Sequence, residues 1–183
     1  ECSNYDIVIT ECTFYYCRCI LYPGGGIAIR THKSVSICNC IFNKTIASNN
    51  MSYRPNIGGV IRVEYYENIT PCVMTNLTIL DATTVGQGPG IYFNSYKPCG
   101  FILRNIYMKS LSSTAGSRVD RTLIRVNLNV SYFECVNVTF DQSELTNNYT
   151  KALIIRNANY FIDQCHFIRN GDPSENVNSQ TID

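Results

Sequence analysis

The sequence predicts an all-β solenoid, about six rungs of parallel strands with a partial asparagine ladder. Three observations carry that prediction. Ile (21), Val (12) and Thr (15) far outnumber the helix formers Ala (6) and Leu (9) among the 183 residues, so strands dominate. A six-residue frame recurs six times at a mean spacing of about 31 residues, which is the signature of a stacked repeat. A second, alternating strand accompanies the frame in each repeat after a turn-rich stretch.

The frame reads apolar, any, polar, apolar, any, large apolar, and it occupies residues 9–14, 37–42, 74–79, 103–108, 135–140 and 162–167. Its polar column is Glu11, Asn39, Asn76, Asn105, Asn137 and Gln164. Each of these sits between two apolar positions three residues apart, which strict alternation would place on opposite faces. A left-handed residue restores the register, and Asn tolerates that conformation best after Gly. Stacked at about 4.8 Å, the amides can also hydrogen-bond to one another. Beside them, Cys12, Cys40, Leu77, Ile106, Val138 and Cys165 form one core column, and Phe14, Phe42, Ile79, Met108, Phe140 and Phe167 form another.

The second strand of each repeat begins at Ile27, Ile61, Ile91, Ile124 or Leu153. Gly24-Gly25-Gly26, Gly58-Gly59 and Gly88-Pro89-Gly90 lead the first three as turn punctuation, and no helix pattern follows that would make a phosphate loop. Residues 1–170 then form one β-helical domain, with 171–183 as a polar tail or a connection to further rungs. A chain starting Glu1-Cys2 without a leader is expected to be a mature product or an excised fragment.

A net charge of +1 with 16% charged residues argues against nucleic-acid binding, which needs clustered Lys and Arg. Apolar runs of four or five residues are too short to span a bilayer. Seven Asn-x-Ser/Thr sequons, where composition alone gives about three, point to a eukaryotic secretory route and an extracellular protein. Asn43, Asn50 and Asn148 are expected in long loops, Asn68 and Asn129 in turns, all accessible to glycan addition. Asn76 and Asn137 lie in the ladder and are expected to stay unmodified.

With these columns in place, the chain resembles the right-handed parallel β-helix of pectate-lyase-like proteins. The Gly-Gly-Ile and Gly-Gly-Val strand starts and Phe167-Ile168-Arg169-Asn170 look like the GGA[ILV] and FxxN repeats of polymorphic-membrane-protein-type adhesins and related protist surface proteins. The resemblance covers roughly residues 7–170. It implies a ligand groove along the outer face of the second strand, where Ala28, Arg30, Arg62, Glu64, Tyr92, Asn94, Arg125, Asn127, Ile154 and Arg156 point outward.

On that face Arg62, Glu64, Tyr92 and Arg125 form a candidate glycan-binding stripe, through charge and ring stacking. A solvated sheet face with an ordinary share of Arg and Tyr is the competing reading. Glycoside hydrolysis needs two carboxylates and lyase chemistry an acidic calcium cluster, and Glu64 stands alone, so no catalytic residue is assigned. His32 and His166 have no partner at ligand spacing and are expected on the surface, with no metal or cofactor.

Cys12, Cys40, Cys135 and Cys165 fall on inward columns as small apolar side chains. Of the other six, Cys72 and Cys99 precede equivalent strands on neighbouring rungs and are the best disulfide candidate, while Cys2, Cys17, Cys19 and Cys38 gather near the amino end with open connectivity. The expectation is an extracellular structural or adhesive glycoprotein that stacks end to end on copies of itself or on adjoining β-helix. A carbohydrate-binding or carbohydrate-active β-helix is the alternative.

Overall fold

The computed structural model describes residues 5–19, 24–47, 59–66, 71–84, 90–113, 122–127, 130–142, 151–155 and 158–168. All seventeen regular elements among them are strands, and every pairing is parallel. They are β1 (Ile7–Thr10), β2 (Thr13–Tyr15), β3 (Arg18–Cys19), β4 (Ile27–Thr31), β5 (Val35–Asn43), β6 (Ile46–Ala47), β7 (Ile61–Tyr65), β8 (Cys72–Leu80) and β9 (Thr83–Thr84). The second half holds β10 (Ile91–Ser95), β11 (Cys99–Lys109), β12 (Ser112–Ser113), β13 (Thr122–Asn127), β14 (Val130–Asp141), β15 (Lys151–Ile155), β16 (Asn159–Asp163) and β17 (His166–Ile168).

They stack as a parallel β-helix of about four turns, fewer than the six expected rungs. The frame does recur on six levels of the main sheet, in the order β1-β5-β8-β11-β14-β16, with β2 and β17 completing the end levels. The other two sheets are shorter. The second strands of the repeats, three of them led by glycine and together called the Gly-led sheet, stack as β15-β13-β10-β7-β4, and a third sheet runs β12-β9-β6-β3. Among the described residues the first level supplies strands to all three sheets, β14 and β15 of the fifth to two, and β16 and β17 of the last to the main sheet alone.

The asparagine column is where the main sheet turns a corner. Glu11, Asn39, Asn76, Asn105, Asn137 and Gln164 all have φ between 51° and 56°, the left-handed region. The side chains at frame positions one and four then both face inward. Ile37, Cys40, Met74, Leu77, Leu103, Ile106, Cys135 and Val138 are all at most 2% exposed. The amides form the ladder: Asn76 Nδ2 donates to Asn39 Oδ1 at 3.0 Å, Asn105 Nδ2 to Asn76 Oδ1 at 3.0 Å, and Asn137 Nδ2 to Asn105 Oδ1 at 2.8 Å.

A second corner follows five residues later, at Tyr16, Lys44, Asp81 and Ser110, with φ between 50° and 55°. Its side chains share no type, so the sequence pattern does not announce it. Backbone bonds hold it instead, among them Lys44 N–H to the Leu80 carbonyl at 3.0 Å and Asp81 N–H to the Lys109 carbonyl at 3.1 Å. At the strand starts glycine serves close approach as well as turning, since a Cβ on Gly90 would lie 2.5 Å from the Leu123 carbonyl oxygen.

The core is the stack of inward columns. Phe14 stacks on Phe42 at 4.6 Å, Phe93 on Phe101 at 4.3 Å, and Phe140 on Phe167 at 5.0 Å, each pair within 8° of parallel. Burial is complete in the middle and fades toward both ends. Phe42 and Phe140 are fully buried, whereas Phe167 is 38% exposed and Phe14 half-buried.

Candidate functional site

The strands of the Gly-led sheet lie in exact register, Ile27 beside Ile61, Ile91, Ile124 and Leu153. That register brings the predicted stripe together. Arg62, Tyr92 and Arg125 are successive neighbours in one outward column, and Glu64, Asn94 and Asn127 in the next. Arg156 lies outside the described residues.

The reading of this face as an ordinary solvated surface is corrected by the structure. Ala28 and Arg30 at its first strand are exposed, but Glu64 is 4%, Tyr92 6%, Asn94 3%, Arg125 9% and Ile154 3% exposed. Strand alternation determines which way a side chain points. It does not determine what lies over the sheet.

Burial demands that these polar groups pair, and they do so mainly with one another. Glu64 accepts from Arg30 Nε at 2.7 Å on one carboxylate oxygen and from Arg62 Nη2 on the other. The Tyr66 hydroxyl reaches the same carboxylate at 3.5 Å. Burial, and then the nearby Glu64 charge, hold the Tyr66 hydroxyl above its ordinary pKa, so it stays a neutral donor. The Arg62 guanidinium lies over the Tyr92 ring, 5.2 Å from its centroid. Arg125 Nε donates to Asn127 Oδ1 at 3.3 Å, and Asn127 Nδ2 reaches the Tyr92 hydroxyl at 3.5 Å. Asn94 Oδ1 is buried with no hydrogen-bond partner among the described residues.

With both Glu64 oxygens accepting from guanidinium groups, this carboxylate is built as an ion-pair partner and not as a proton donor to a leaving group. The signal for that pairing, Arg62 and Glu64 two residues apart on β7 with Arg30 directly opposite Glu64 on β4, was present in the sequence but needed the register to be read. The turn beyond carries another unforeseen feature. His32 stacks on Tyr66 at 5.5 Å and Tyr66 on Tyr96 at 4.9 Å, a short aromatic ladder on successive rungs. His32 is half-buried in it, while His166 is exposed as expected.

Among the described residues no two cysteine sulfurs lie at disulfide-bonding distance. Cys72 is in register with Phe101, so Cys99 sits two residues earlier along its strand. The two are therefore not opposite, and burial pushes both thiols above their ordinary pKa. Cys17, Cys19 and Cys38 are half-buried, with the Cys38 thiol 3.3 Å from Thr10 Oγ1. Cys2 lies outside the described residues. Cys40 and Cys135 are buried as core thiols, and Cys12 and Cys165 pack partly buried against the same core. No group of three or more His, Cys, Asp and Glu among the described residues is placed to hold a metal ion.

Of the sequons, Asn50, Asn68, Asn129 and Asn148 lie outside the described residues. Asn43 is not in a long loop. It is the last residue of β5, half-buried, with its Oδ1 buried and without a hydrogen-bond partner among the described residues. Asn76 and Asn137 are exposed and carry the ladder bonds described above.

Comparison with known proteins adds no relative to this picture: no protein-family model, no curated protein and no solved structure matches the chain.

Proposed function

We propose that this chain is an extracellular, N-glycosylated β-helix with a structural or adhesive role, stacking end to end on further copies of itself at a cell surface or in a filament. The observation that carries the reading is the state of the core at the two ends. Phe14 and Phe167 each stack one ring face on the next rung inward, and no described residue stacks on the other face. The edge strands there, β1 and β16 with β17, pair on one side only among the described residues.

Val8 at one end is 67% exposed, and Tyr160, Phe161 and Ile168 at the other are 43–51% exposed. Parallel edges that pair on one side only among the described residues, with matching frames, are templates for one more rung, so a second copy continues both the hydrogen-bond ladder and the aromatic column. The seven sequons support a secreted, glycan-coated molecule. The strand-start and Phe167 motifs support kinship in style with polymorphic-membrane-protein-type surface proteins, as the amide corner does with pectate-lyase-like folds.

The carbohydrate-binding alternative rests on the Arg62, Tyr92 and Arg125 column. It is disfavoured because Tyr92 and Arg125 are buried and Glu64, in the neighbouring column, is held by two arginines.

Electron microscopy and concentration-dependent sedimentation of the glycosylated chain from a secretory host test the proposal. Linear particles with an axial repeat of about 30 Å, six levels at about 4.8 Å, are expected. A single monomeric species up to high protein concentration overturns it.

A further inference from the structure

We propose that Cys135 and Cys165 form a thiol–disulfide exchange site that takes a small-molecule disulfide, such as oxidised glutathione, as its substrate and staples the last two described levels of the helix together. The inference starts from a contact that the repeat frame does not foretell. Cys135 occupies the first inward position of its frame, in register with Ile162, and Cys165 the second inward position one level on. Because the chain turns its corner at Asn137 and Gln164, the two positions converge, and the sulfurs sit 3.5 Å apart.

That separation is a non-bonded contact about 1.5 Å longer than a disulfide. The side that has to move is the less constrained one. Cys165 is half-buried in the corner between β16 and β17, both three to five residues long and paired only with β14 among the described residues. Cys135 is fully buried within a twelve-residue strand paired on both sides.

The two thiols are also unequal in chemistry. The hydrogen bond available from the Cys135 thiol, with backbone hydrogen bonds at Val138 and Asp163, holds Cys165 below the ordinary thiol range against the opposing effect of burial. Cys135 is held above that range by the same hydrogen bond and by its burial. Cys165, half-buried and open to a small disulfide, is the attacking group, and Cys135, fully buried behind it, the resolving one.

The exchange balances without any further reagent. The Cys165 thiolate attacks one sulfur of the small-molecule disulfide. A Cys165 mixed disulfide forms, and the first small thiolate leaves and takes up the proton that Cys165 gave up. The Cys135 sulfur then loses its proton and attacks the Cys165 sulfur, expelling the second small thiol. Two protein thiols are oxidised and one disulfide is reduced to two thiols.

The test uses the full chain, reduced with a dithiol, freed of it, and equilibrated without denaturant in glutathione buffers of increasing oxidised fraction. Acid quenching, alkylation and peptide mass spectrometry then read each cysteine. The expected result is a Cys135–Cys165 linked peptide that grows with the oxidised fraction. With limiting alkylating agent, Cys165 reacts at least about tenfold faster than Cys135.

In Cys135→Ser the Cys165–glutathione mixed disulfide persists instead of resolving. Cys135→Ala serves the same purpose if the serine variant fails to fold, since it buries no hydroxyl. The proposal is overturned if both cysteines remain thiols in the oxidised buffers, if a mixed disulfide accumulates on Cys165 while Cys135 stays reduced in the unmutated chain, or if either bridges to a different cysteine.

Discussion

Replacing Asn76 by Ala tests the corner on which the solenoid is built. Asn76 donates to Asn39 and accepts from Asn105, both at 3.0 Å, with its backbone at φ 53°. The ladder is solvent-exposed, so each bond contributes at the low end, about 0.5 kcal/mol. The left-handed backbone adds about 1 kcal/mol more for Ala than for Asn, because Ala brings a Cβ clash without a side chain that bonds locally. Asn76→Ala should therefore lose about 2 kcal/mol. Asn76→Gly loses the same two bonds but is relieved of the backbone cost, so it should lose only about 1 kcal/mol or less.

Urea unfolding followed by far-ultraviolet circular dichroism, on unglycosylated protein with matched slopes, reads both values. Thr78→Ala is the control, since it removes the sequon and leaves the ladder bonds of Asn76 in place. Equal losses for Ala and Gly would refute the backbone part of the reasoning. A loss below about 0.3 kcal/mol for both would refute the ladder as a source of stability.

Glu64→Ala removes the buried carboxylate shared by Arg30 and Arg62, and should cost about 3 kcal/mol in the same assay, with Glu64→Gln intermediate. A change below about 1 kcal/mol would mean that the buried ion pairs do not hold this face. The Glu134 carboxyl is held below its ordinary pKa by a hydrogen bond from Arg104, helped by the Tyr132 hydroxyl and opposed by burial. Its folded value lies below its unfolded one, so its contribution is complete above the ordinary carboxylate range and is lost as the pH falls through the lowered folded value. The gap in urea midpoint between the parent chain and Glu134→Gln should therefore close in acid, and a gap that persists at low pH would contradict the pairing. Intact-glycopeptide mass spectrometry of secreted protein should find Asn76 and Asn137 essentially unoccupied. Full occupancy at either is incompatible with the ladder as drawn.

The first corner and the inward columns were legible in the residues, because side-chain direction along a strand is a local property. An Asn that separates two apolar positions three residues apart can satisfy both only by turning the chain, and Asn39, Asn76, Asn105 and Asn137 do so. The second corner was hidden because backbone hydrogen bonds enforce it. Tyr16, Lys44, Asp81 and Ser110 share a conformation but no side-chain chemistry. The offset between Cys72 and Cys99 was hidden for a related reason. Equivalent sequence position does not reveal a two-residue offset in register.

What the sequence determined by itself is therefore the repeat: which residues face inward, where the chain bends, and that identical amides lie one above another. These follow from alternation and from conformational preference, which act within a few residues. The tertiary structure alone decided how deeply the Arg62, Glu64, Tyr92 and Arg125 face is buried, that Glu64 is shared between two arginines, and that Cys135 meets Cys165 across a corner. Arg30–Glu64 and Cys135–Cys165 join residues 34 and 30 apart in the chain, and they exist only once the rungs are stacked at a particular register and the corner has turned two inward positions toward each other.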